Sequence, residues 1–189
     1  MGVEGGKHGV GCHEPSFYSK KGWAPPGQRD YNGGMHIELI DAHHPNSSPI
    51  LAQVHPFLAS LDRYYPDISA WFARSFSTGL ANGKNVLLAA HASGGGLAGV
   101  ALGKKTNDEV KMQCVRVADP LGNAGLGIVL MDRMMQELEC EKPLATVSEE
   151  MLHQYSRVFV KRYGFSLDDV VKGAYRPRKL EYYFNGTKD

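Results

Sequence analysis

The sequence predicts an α+β domain on one mixed, mostly antiparallel sheet, and three observations carry that prediction. Two helical segments precede the longest run of strands. Three strands then follow one another through turns too short for anything but antiparallel pairing. After them, a strand leads through a glycine-rich turn into an amphipathic helix and on to another strand, the pattern of a parallel crossover.

Taken in order, residues 1–34 stand apart as an arm, with nine glycines and three prolines but no strand or helix period. Phe17, Tyr18, Trp23 and Tyr31 give this arm aromatics that could dock on the domain or on a second subunit. The domain proper runs over 35–189. "MHIELIDA" alternates and predicts a strand from Met35 to about Ile40. "SPILAQVHPFLASLDRYYP" is helical, with Pro49 near its first turn and Pro66 at its end. "DISAWFARSFSTGLANGK" predicts a second helix, with Asp67 as N-cap, Ile68, Trp71, Phe72 and Phe76 on one face, and Asn82-Gly83 closing it.

Strands follow over Val86 to His91, Leu97 to Lys104 and Val110 to Ala118, joined by Gly94–Gly96 and by "TNDE". Gly94, Gly96 and Gly99 match a dinucleotide-binding spacing, but they run into a strand, whereas phosphate binding requires a helix to open there. A helix follows "PLGNAGLG", and Leu144 to Val147 makes a short strand. The next helix presents Met151, Leu152, Tyr155, Val158 and Phe159, and Gly164 ends it. Leu180 to Phe184 gives the last strand.

A chain of 189 residues suits one domain that buries about 70% of its unfolded surface. The net charge of +1 offers no bulk attraction to nucleic acid or membrane. Between His153 and Asp189, however, eight Lys and Arg face four Asp and Glu, which fits a polyanionic ligand or an ordinary solvated surface. Cys12, Cys114 and Cys140 are odd in number and lack metal-ligand spacing, which argues against a disulfide framework. His8, Cys12 and His13 lie close together without a second half-site, so no metal is expected. With neither a signal-like segment nor a run of ~20 apolar residues, a cytoplasmic location is expected.

The turn "GNAGLG" holds three glycines in six residues just before a helix. A helix start carries unpaired amides and partial positive charge, and glycines let a ligand approach that backbone, so a pyrophosphate fits there. The same glycines would also serve a tight turn that packs the helix on the sheet. With the antiparallel meander before it and "FVKRYGF" about forty residues later, this turn resembles the GNAT acyltransferase superfamily over roughly Met35 to Gly186.

The resemblance implies a central sheet with helices on both faces, and acetyl-CoA as acyl donor. Gly122, Asn123, Ala124, Gly125, Leu126 and Gly127 would hold its pyrophosphate. Val115 and Val117 would pair their backbones with pantetheine amides, and a backbone N–H there would polarise the thioester carbonyl. Ser148 would bond the donor or cap the next helix. Gly122 stands where the family's pattern has Arg or Gln, so a side-chain phosphate contact is lost. Val160 stands where the family often has a tyrosine that protonates the departing thiolate; Tyr155 and Tyr163 lie on other faces, and the general acid is unassigned.

Glu109, at the mouth of the fourth strand, is the candidate base, against an ordinary turn role in "TNDEVK". Tyr64 and Tyr65, flanking a proline turn, are the candidate acceptor contacts. Trp71 and Phe72 are expected in the core, and Asp62 and Asp67 could attract an amine. Cys114 has no neighbouring His and reads as a packed strand residue, so acetyl transfer to a primary amine by direct attack is expected. A small-molecule or protein amine is the expected acceptor. A non-catalytic binding module, an enzyme acting on a nucleic-acid-linked amine, and a homodimer stay open.

Overall fold

The alternating segment HIELI forms β1, His36–Ile40, which pairs antiparallel with β2, Asn85–His91, from His36 opposite His91 to Ile40 opposite Leu87. β3 (Leu97–Lys105) and β4 (Val110–Val117) complete an antiparallel meander. The chain then crosses through α4 (Leu126–Leu138) to β5 (Leu144–Ser148), which lies parallel to β4. β6 (Leu167–Lys172) and β7 (Leu180–Phe184) form a closing hairpin in which β7 inserts beside β5. The sheet order is β1-β2-β3-β4-β5-β7-β6. The computed structural model describes residues 35–44, 47–121 and 125–188, so the N-terminal arm lies outside it.

Helices cover both faces. On one, α1 (Ser47–Ala59) buries Ile50, Val54 and Leu58, one per turn, against Leu87, Ala89, Val100 and Leu102. α2 (Ile68–Trp71) continues through a π-helical turn, Phe72–Phe76, into α3 (Ser77–Ala81), which ends at Gly83 with φ 69°. The wider turn stacks Phe72 on Phe76, their centroids 5.3 Å apart. Asp67 does not cap α2: it is left-handed, at φ 68°, and its side chain makes no capping bond. On the other face lie α4 and α5 (Leu152–Ser156), the latter running into a π-helical segment, Arg157–Arg162.

Glycines on β3 let α4 settle close to the sheet. A Cβ at Gly99 would lie 2.9 Å from Leu130 Cδ1 and 3.0 Å from the Arg116 carbonyl oxygen. Gly99 thus serves packing, and Gly94 and Gly96 lie in the open β2–β3 turn. Gly99→Val is expected to destabilise the domain by about 2–3 kcal/mol, read as a lower urea midpoint at unchanged slope. A loss below about 0.5 kcal/mol would mean that α4 does not press on β3 there.

One strand of the sheet went unpredicted. β6 went unread because LDDVVK carries three charges and no strict alternation. It is an edge strand with mostly exposed side chains, where charge discourages pairing with other chains. Cys114 is a free thiol, and Cys12 lies outside the described residues. Among the described residues no helix is long and apolar enough to cross a membrane.

Candidate active site

The site begins where two strands part. β4 and β5 pair only at Lys111 with Leu144 and Met112 with Ala145. One residue later β4 bulges: Leu102 of β3 faces Cys114 while Gly103 faces Met112, which leaves Gln113 without a partner. Beyond the bulge, the Ala118 N–H donates to the Ala98 carbonyl on β3 at 2.8 Å. Strand alternation therefore turns the backbone groups of Val115 and Val117 the other way, toward the side where β5 has diverged. A cavity of about 390 Å³ fills this fork and reaches both faces of the sheet.

On the α1–α3 side the cavity is aromatic, with one acid close behind. Tyr64, Tyr65, Trp71 and Tyr175 line it, and Tyr65 meets Tyr175 edge-on at 5.3 Å. The Tyr65 hydroxyl donates to Glu181 Oε1 at 3.0 Å. Glu181 sits on β7 opposite Ser148 and is 3% exposed. Burial pushes its carboxyl up to about 7, with hydrogen bonds from Tyr65 and Thr146 opposing the rise. The result is a carboxylate that can take a proton at neutral pH.

On the α4–α5 side a tyrosine reaches the cavity. Tyr155 lines it, and burial, with Cys114 adding to it, raises its phenol. Val160 is 49% exposed and does not line the cavity. Tyr163 turns back to α4, its hydroxyl donating to Asp132 Oδ1 at 2.7 Å. Cys114 also lines the cavity, but burial pushes its thiol up to about 12, so it offers no thiolate at neutral pH.

No family model and no curated protein matches the sequence. Solved structures match its fold. A protein from Desulfovibrio desulfuricans assigned to the GNAT acetyltransferases aligns with TM-score 0.60 and 18% identity, over 78% of this chain and 96% of that one. The chain has the GNAT fold. Ard1 from Thermoplasma volcanium aligns at TM-score 0.57 and 17% identity, over 79% and 95% of the two chains. An aminoglycoside 6′-N-acetyltransferase complexed with coenzyme A aligns at 0.54 and 14%, over 81% and 98%.

Within the GNAT fold the sequence-predicted residues separate into groups. Val115, Tyr64 and Tyr65 meet at the fork cavity, and Val117 lies farther along the same open edge. Gly125 begins α4 at φ 79°, with open space among the described residues where a Cβ would point, and Gly127 lies against Val117 of β4. Leu126 turns its side chain into the core, which leaves only its backbone to face a ligand. Gly122, Asn123 and Ala124 lie outside the described residues. Ser148 does not cap a helix; its hydroxyl is fully buried and has no hydrogen-bond partner among the described residues.

Glu109 lies apart from this group. It precedes β4 at the closed end of the fork, where Lys104 Nζ holds its Oε2 at 2.6 Å. Glu181, bonded to Tyr65 of the cavity wall, is a candidate that sequence reasoning missed. Its only signal was a lone acid in the apolar strand LEYYF. Phe72 is core as expected, whereas Trp71 is half-buried and lines the cavity. Asp67 stands exposed at the rim, and Asp62 lies on the surface. Three of the eight C-terminal cations are paired among the described residues: Arg162 with Asp132, Arg176 with Glu150, and Lys179 with Glu149 and Glu150.

Proposed function

We propose that this chain is a GNAT-family acyltransferase that moves an acetyl group from acetyl-CoA to a primary amine by direct attack. One observation carries the reading: a cavity opens between β4 and β5, with Tyr65, hydrogen-bonded to Glu181 behind it, at one side and Tyr155 at the other. Solved structures of this fold include named acetyltransferases, one complexed with coenzyme A, which supports the donor. The residues also suit it. The Val115 and Val117 edge offers backbone pairing to pantetheine amides, and the start of α4, with open space at Gly125, suits a pyrophosphate. Gly122, Asn123, Ala124 and Ser148 complete the proposed donor contacts.

In this reading Glu181 takes a proton from the acceptor amine through the Tyr65 hydroxyl, which lines the cavity and donates to it. The nitrogen then forms its bond to the thioester carbonyl carbon while an N–H of the open β4 edge stabilises charge on the carbonyl oxygen. The C–S bond breaks and Tyr155 gives a proton to the departing sulfur. Cys114 stays a thiol throughout, which argues for direct attack and against an acyl-cysteine intermediate.

Calorimetric titration with acetyl-CoA, followed by thiol-release assays with primary amines, tests the reading. Binding together with amine-dependent thiol release is the expected result, and a folded protein that binds no acetyl-CoA refutes it. Tyr155→Phe is expected to lower kcat about 10- to 100-fold with acetyl-CoA affinity unchanged. Unchanged kcat would remove Tyr155 from the role.

A further inference from the structure

The acceptor side of the cavity holds a cation that the fold does not use. Lys111 lines the cavity, half-buried, and among the described residues no carboxylate oxygen lies within 4.0 Å of its ammonium. Its neighbour Met112 packs into the α4 core, so alternation sends Lys111 to the opposite face. Thr146 shares that face, because Ala145 and Val147 join the α4 core. Lys111 acts on Glu181 electrostatically, which places a positive and a negative group near one another beneath the same aromatic wall. Arg176 also acts on Glu181, but it is held by Glu150 in two bonds of 2.9 and 2.6 Å and by the Arg63 carbonyl at 3.1 Å.

A second polar group waits nearby. Gln113, freed by the bulge, lines the cavity with its Oε1 buried and without a hydrogen-bond partner among the described residues. A buried acceptor is costly unless a ligand completes it, and a half-buried cation without an ion pair is open to an incoming anion. The ligand must then bring an anion to Lys111 and an N–H to Gln113 or Glu181, and place apolar surface against Tyr64, Tyr65 and Trp71. At about 390 Å³, the cavity is near the lower end for small-molecule sites, and the donor's thioester arm takes part of it. A polycationic acceptor would be repelled by Lys111.

We infer that the acceptor is a zwitterion, an α-amino acid with an apolar or aromatic side chain, its carboxylate held by Lys111 and its amine directed to Glu181. The inference rests on the acetyl-transfer reading. In the reaction the ammonium gives up two protons by way of Glu181 to solvent, while Tyr155 supplies one to the departing sulfur and is reprotonated from solvent, a net release of one proton. The N–C bond forms as the C–S bond breaks, yielding an N-acetyl amino acid and free CoA.

The test compares phenylalanine and leucine with phenylalaninamide and 2-phenylethylamine, at saturating acetyl-CoA, for the wild type and Lys111→Met. The wild type is expected to favour the free amino acids by about tenfold or more in kcat/KM. Lys111→Met is expected to bring that ratio to about one, with acetyl-CoA affinity by calorimetry unchanged. A wild type that uses phenylethylamine as well as phenylalanine overturns the inference, as does a variant that weakens all four acceptors alike. Acetyl-CoA binding with no amino acid acetylated, and none bound in the presence of CoA, overturns it too. Failure of acetyl-CoA itself to bind overturns the underlying reading and this inference with it.

Discussion

Glu181→Gln is expected to lower kcat/KM by about a hundredfold or more and, above pH 7, to raise the melting temperature. Both effects come from one buried carboxyl. Its folded-state value is about 7, against 4.5 in the unfolded chain, because burial disfavours the charged form. Between those values the folded protein keeps a proton that the unfolded chain has released. Wild-type stability therefore falls as pH climbs from about 4.5 to 7 and is level beyond. Ionising this group at pH 8 costs on the order of 3 kcal/mol, which glutamine avoids while still accepting the Tyr65 hydrogen bond. The variant should melt roughly 5 °C above wild type at pH 8 and close to it at pH 4.

Activity should show the opposite sign. A base must be deprotonated, so wild-type kcat/KM rises through about pH 7, and Glu181→Gln loses that limb. A stabilised variant with full activity would leave Glu181 as a buried acid without a catalytic role. Loss of activity with the pH limb intact would assign the base to another group.

The elements that bury a regular face were legible in the sequence. The meander β2–β4, the crossover through α4 and the last strand were read within about a residue of their ends, because period and turn chemistry coincide there. The features that build the site were harder to read, since each breaks a local rule. The bulge at Gln113 needs the register of β3, which no short window contains. The π-helical turn at Arg157–Arg162 adds residues per turn, so counting four back from Gly164 lands on exposed Val160, while Tyr155, a turn earlier, lines the cavity. Asp67 resembled a cap because Asp before an apolar run usually is one, yet the chain turns left-handed there and sends the residue to the cavity rim. Glu109 looked like a base from its place before β4, but the fork opens at that strand's other end.

Gly125→Glu is expected to abolish measurable acetyl-CoA binding, a loss of at least about a hundredfold, in a protein that stays folded. A Cβ at Gly125 meets no atom within 4 Å among the described residues, so the substitution starts into open space. The left-handed backbone, φ 79°, costs about 1–2 kcal/mol for a residue with a Cβ. A carboxylate at the first turn of α4 regains about 0.3–1 kcal/mol from the helix dipole. The net penalty is small beside the 5–15 kcal/mol typical of a folded domain. The same carboxylate would occupy the space and partial charge proposed for the pyrophosphate, where an anion would meet repulsion in place of amides. Gly125→Ala separates the two effects, since it carries the backbone strain without the charge and should keep binding within about tenfold. Equal losses in both variants would trace the defect to the backbone. Unchanged binding in Gly125→Glu would move the donor's phosphates away from this turn and leave Gly125 as a conformational glycine alone.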